Sequence, residues 1–152
     1  MGVYILSVMS KQNIKADTCV NIKKKLKKIY INNPIEFQEY SYDDREYKEV
    51  DFDIKNITFH KEKIFEEIDL LIEAIVCIFD SVDISIEVIG GYNDTESAIT
   101  RYENNRETSY KSFNLFATKD TNLKSQPYKK INGIYVYQSF EHDGMGVIFP
   151  SS

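Results

Sequence analysis

Tryptophan is absent from this chain, and the side chains that do most metal and nucleophile chemistry are scarce, with two histidines and two cysteines among 152 residues. Cys19 and Cys77 lack CxxC spacing, so neither a zinc knuckle nor a disulfide framework is expected, and a reducing cytoplasm fits. No stretch approaches the ~20 apolar residues of a membrane span; the longest, Leu70 to Phe79, is broken by Glu73. The apolar opening Val3 to Met9 is too short for a signal peptide and has no basic residues before it. Leu6 stands where a myristoylation motif requires Ser or Thr. GxGxxG, GK[ST], GxSxG and HExxH motifs are all missing, so no cofactor and no metal is expected.

What is present is the material of one ordinary domain. A hydrophobic share of 42% with 28% charged residues, no repeat and no low-complexity tract describes a single globular unit over residues 1–152. At this length roughly 70% of the unfolded surface can be buried. The net charge of −5 is unevenly spread: residues 1–30 carry seven lysines against Asp17, a net of +6, which leaves −11 for the remaining 122. Most of the surface therefore repels phosphate, which argues against nucleic acid and in favour of a basic partner.

Hydrophobic periodicity outlines the elements. "VYILSVM" reads as a strand, and the spacing of Cys19, Ile22, Leu26 and Ile29 predicts a helix with a lysine outer face, stopped by Asn32, Asn33 and Pro34. That lysine face is expected to be solvated, with no membrane contact. "IEFQEYSY" and "VDFDIKNITF" read as strands, the second slipping phase at Lys55-Asn56, where a bulge returns Ile57 and Phe59 to the core side. Residues 61–81 predict a largely buried helix along Ile64, Ile68, Leu71, Ile72, Ile75 and Phe79. A strand "VDISIEVI" then ends at Gly90-Gly91, whose turn could also approach a phosphate. A capping box at Asn93 and Glu96 marks a short helix to about Tyr102. "SYKSFNLFAT" and a C-terminal meander follow, with Asn132-Gly133 and Asp143-Gly144 as type I′ hairpin turns. The fold class is α+β: an antiparallel sheet with two main helices on one face in the βαββαβ, ferredoxin-like order, extended by the meander.

Three places carry candidate chemistry. "EHD", Glu141 to Asp143, puts neighbouring side chains on opposite sides of an extended chain, which makes a poor chelate and a good turn. Cys19, near a helix start, would need a base, and His60 is the one histidine placed to serve. The segment "EEIDLLIEAIVCIFDSVDISIEVIGGYND" resembles part of the chemotaxis-type glutamine deamidases and N-terminal asparagine amidases. That resemblance implies a Cys-His amidohydrolase with Cys19 as nucleophile and His60 as base. The family's glycine-serine-cysteine context is missing, since Thr18 and Val20 flank Cys19, which also lies on the apolar stripe.

The third is a surface. "EYSYDDREYKEVDFD", Glu39 to Asp53, holds seven acids against Arg45 and Lys48, with Tyr40, Tyr42 and Tyr47 among them. With Val50, Phe52 and Ile54 facing the core, Asp51 and Asp53 face outward together. Tyrosine supplies rigid contact area and carboxylates attract a basic partner, so Tyr42, Asp43, Asp44, Glu46, Tyr47, Asp51 and Asp53 form the expected partner-binding set. With its opening "MGVYILSV" and α+β order, the chain resembles bacterial toxin-immunity proteins, the cognate inhibitors of polymorphic and contact-dependent toxins. The resemblance implies a cytoplasmic, non-catalytic protein that neutralises a basic protein toxin by occlusion. A small-ligand-binding regulatory domain on the same scaffold is the remaining reading.

Overall fold

The computed structural model describes residues 2–40, 48–82, 88–92, 115–119 and 126–138. The chain is α+β, with two helices against an antiparallel sheet. The first strand, β1 (Gly2–Ser10), leads into α1 (Ala16–Ile29); β2 (Ile35–Tyr40) and β3 (Lys48–Ile57) follow. A 3-10 turn over Lys61–Lys63 precedes α2 (Ile64–Asp80). Then come β4 (Val88–Tyr92), β5 (Leu115–Thr118), β6 (Lys129–Ile131) and β7 (Ile134–Gln138). The sheet order is β2-β3-β1-β4-β5-β7-β6, every neighbouring pair antiparallel.

The apolar stripes assemble as the periodicity requires. Cys19, Ile22 and Leu26 of α1 and Ile68, Leu71, Ile72 and Ile75 of α2 share one core with alternate residues of β1 (Tyr4, Leu6, Val8) and β3 (Val50, Phe52, Ile54). Phe37 of β2 stands opposite Phe52, their ring centroids 6.0 Å apart, which extends this face towards the sheet edge. At the other end of β3, Asn56 takes φ 59° as the register between β1 and β3 shifts at Gly2/Val3. The extra residue restores the phase, so Ile57 and Phe59 are buried in the same core, and Phe59 meets Tyr4 edge to face with centroids 5.4 Å apart.

The opposite face is not bare. Ser7, Met9, Glu49, Asp51, Phe116, Thr118 and Tyr137 are all buried there, away from the cluster that holds the two helices. Gly90 and Gly91 depart from the expected strand-ending turn. They lie inside β4, opposite Ser7 and Leu6 on one side and Phe116 and Leu115 on the other. A ladder is held by backbone groups, and with β1 and β5 both supplying partners these glycines need no side chain to stay in the strand. The phosphate-cradling alternative has no turn to rest on.

The expected hairpin at Asn132-Gly133 forms, with φ 50° and 77° at the two positions and Ile131 paired with Ile134. The capping box at Asn93, the "EHD" turn and residues 83–87 of "VDISIEVI" lie outside the described residues. A Cβ at Gly133 would meet nothing within 4 Å, so the penalty for adding one is the backbone's alone. Gly133→Ala should therefore cost about 1–2 kcal/mol and lower Tm by a few degrees, roughly 2–8 °C. An unchanged Tm in calorimetry would show that the turn does not need its positive φ.

Candidate functional site

Strand β3 places Glu49, Asp51 and Asp53 on the face opposite the helices. Across from them stand Tyr40, Gln38 and Glu36 of β2 on one side and Met9, Ser7 and Ile5 of β1 on the other. Burial then divides these carboxylates into two groups. On the edge strand Glu36 and Gln38 are exposed; on β3 Asp53 is half-buried, whereas Asp51 and Glu49 retain 6% and 3% of their accessible surface.

Asp51 therefore shares a sheet face with Asp53, as its alternation with Phe52 predicts, but it does not face solvent. Strands flank it on both sides, and the Ser7 hydroxyl donates to its Oδ1 at 2.6 Å. A side-chain hydrogen bond joins Asp51 to Glu49. Burial first, then the hydrogen bond and charge of Glu49, hold the Asp51 carboxyl well above the usual carboxylate range, against the lowering effect of Ser7. Asp53 is also raised, by partial burial and then by Asp51, with Lys55 opposing.

The outward charge is thus carried by Glu36, Asp53 and Glu39, the last on the helix side of the same edge strand. Lys23 of α1 reaches Glu36 at 3.6 Å, an exposed pair of small energetic weight. Beside Glu36, the Tyr40 hydroxyl donates to Gln38 Oε1. Beyond Tyr40 a cavity of about 550 Å³ opens at the junction of β1, β3 and the start of α1, lined by Ser10, Gln12, Glu39, Tyr40, Lys48 and Glu49. A smaller one, about 300 Å³, lies at the other end of the sheet between Tyr30, Asn33, Asn56, Phe59 and Glu67.

Of the seven residues expected to bind a partner, Asp51 and Asp53 are placed as above. Tyr42, Asp43, Asp44, Glu46 and Tyr47 lie outside the described residues. Sequence reasoning passed over Glu36 and Gln38. The signal was present in "IEFQEY", whose polar residues alternate with Ile35 and Phe37 in the phase that puts them beside Asp53 and Asp51.

Cys19 and His60 are not brought together. Cys19 is buried with its Sγ 4.0 Å from Glu39, opposite Val50, whereas His60 follows the far end of β3. The seven residue-to-residue steps from Val50 to Ile57 alone span about 23 Å at ~3.3 Å each. The backbone N–H of His60 donates to the Glu67 carboxylate, at 2.9 Å to Oε2. Burial and the nearby Glu39 carboxylate push the Cys19 thiol up to about 11. Among the described residues no group of three or more His, Cys, Asp or Glu could hold a metal ion, and no helix is long and apolar enough to cross a membrane.

No protein-family model, curated protein or solved structure matches the chain.

The Cys19 thiol should react with iodoacetamide at neutral pH at least tenfold more slowly than free cysteine, with unfolding in urea restoring the ordinary rate; rapid native alkylation, resolved by peptide mass spectrometry, would contradict its burial. The Asp51 proton gives a second expectation. Unfolding returns Asp51 to a pKa near ~3.9, so over the range above that value the folded chain holds the extra proton and loses stability as pH rises. Asp51→Asn keeps an acceptor for Ser7 and a donor for Glu49 without the titration. The stability difference between wild type and this variant, from urea midpoints, should shift against wild type between about pH 4 and pH 8. A difference independent of pH would mean that folding does not raise the Asp51 carboxyl.

Proposed function

We propose that this chain is a toxin-immunity-type protein, which binds a cognate basic protein toxin in the cytoplasm and neutralises it by covering its working surface without turnover. The observation that carries this reading is the acidic edge of the sheet. Glu36, Asp53 and Glu39 line it, and the acidic, tyrosine-bearing segment 41–47 continues directly from it. Carboxylates on a rigid strand raise the encounter rate with a cationic surface, and Tyr40, Tyr42 and Tyr47 add stiff aromatic area at little cost in conformational entropy. The scaffold beneath is read as ferredoxin-like with an added C-terminal meander. The order β2-β3-β1-β4, with one helix after β1 and one after β3, supports that. Asp51 enters this reading as a support for β3 and not as a contact.

One observation favours a second reading, a small-ligand-binding regulatory domain: the cavity of about 550 Å³ beside Tyr40 and Glu49 is within the size range of ligand sites. It predicts a rise in Tm with some metabolite bound in that cavity. The Cys-His amidohydrolase keeps no geometric support, given where Cys19 and His60 stand.

The first test is co-expression with the protein encoded beside this chain, which should yield a stoichiometric complex. Within it, charge reversal at Asp43, Asp44 and Glu36 together should slow association by about tenfold or more at low salt and flatten its salt dependence, measured by stopped flow. Association kinetics unchanged by these reversals would remove the acidic edge from the interface.

A further inference from the structure

Among the described residues the order of the sheet leaves β2 at one end, and its pairing with β3 fixes which backbone groups turn outward. Lys55 N–H donates to Pro34 O at 2.9 Å, so Pro34 and Lys55 form a hydrogen-bonded pair. Antiparallel pairs alternate, so Glu36, Gln38 and Tyr40 also direct their N–H and C=O groups at β3, while Ile35, Phe37 and Glu39 direct theirs away from it. Ile35 is buried at 2% exposure and offers nothing to a partner, but Phe37 is half-buried and Glu39 exposed. Four backbone groups, on Phe37 and Glu39, are therefore aligned along an edge whose flanking side chains are Glu36, Gln38 and Glu39.

We propose that β2 accepts an extended segment of the partner protein as an added strand. The residues of that segment beside Glu36 and Gln38 are lysine or arginine, and the one opposite Phe37 is apolar. The inference rests on the reading above that the partner is basic, and it specifies how that partner is held. Main-chain bonds to Phe37 and Glu39 supply affinity, and the acidic side chains select the charge. The same acids discourage two copies from pairing β2 to β2, because like charges would then face each other across the new ladder. Lys23, which now pairs with Glu36 at 3.6 Å, marks where an incoming cation would sit.

Amide hydrogen exchange on the whole chain tests this, with a capped peptide of four Arg-Val repeats as probe and four Glu-Val repeats as control. The basic peptide should slow exchange at Phe37 and Glu39 at least tenfold, with little change at Glu36, Gln38 and Tyr40, which are already bonded to β3; the acidic peptide should do nothing. Glu39→Pro removes an outward N–H without touching the β2–β3 ladder and should abolish that protection, whereas Glu39→Gln should weaken it only severalfold. If the proline variant does not fold, the wild-type exchange pattern decides alone. Salt-sensitive binding of the basic peptide with Phe37 and Glu39 unprotected would overturn the strand-addition inference and leave the acidic interface standing. No binding of the basic peptide would overturn both. Protection at these amides that grows with protein concentration alone would assign the edge to a second copy, through the lysines of β6, and would overturn the inference as well.

Discussion

Between β3 and β4, strand β1 is buried on both faces from Leu6 to Ser10. Tyr4, Leu6 and Val8 enter the core beneath the helices, while Ser7 and Met9 are equally buried on the other face. A strand buried on both faces cannot slip by one residue without driving Ser7 into the apolar cluster and Leu6 or Val8 against the carboxylates of β3. Its register therefore sets that of β3 and β4, and through them the rest of the sheet. The polar positions on this second face hold because Ser7 and Asp51 satisfy each other at 2.6 Å. They are the reason the acidic side chains of β3 are not all available as surface charge.

Two electrostatic roles thus lie side by side on one strand. Asp51, bonded to Ser7 and held above the usual carboxylate range, ties β1 to β3. Asp53, one position on, stands with Glu36 and looks outward. Depth of burial along that strand decides which role a carboxylate takes, since burial raises the cost of ionisation faster than neighbouring dipoles repay it.

Much of the fold was legible because period and punctuation agree. The stripe from Ile64 to Phe79 could only be a buried helix, Asn132-Gly133 only a tight hairpin, and the phase slip at Lys55-Asn56 only a bulge. Gly90-Gly91 misled because glycine is read as punctuation from local sequence, whereas its place in β4 is decided by β1 and β5, distant in the chain. The candidate site was legible in composition but not in depth. Alternation assigned Asp51 to a face, and nothing in "VDFD" says that the face is itself covered. Cys19 and His60 illustrate the same limit, for a sequence lists reactive groups but leaves the length of a strand between them to be discovered.

The position of β1 also has a temporal side. Met9 pairs with Val88, and Ile5 with Tyr92, so roughly eighty residues must be made before the strand meets its second neighbour. At translation rates of about 5–20 residues per second, "VYILSVM" spends on the order of several seconds as an apolar, β-prone segment without its full set of neighbours. Contacts this remote in sequence also slow the final closure of a sheet. The strand on which the register depends is thus synthesised well before the neighbour that encloses it. The β2–β3 pairing, made between residues close in the chain, is available to shield its partner strand well before β4 exists.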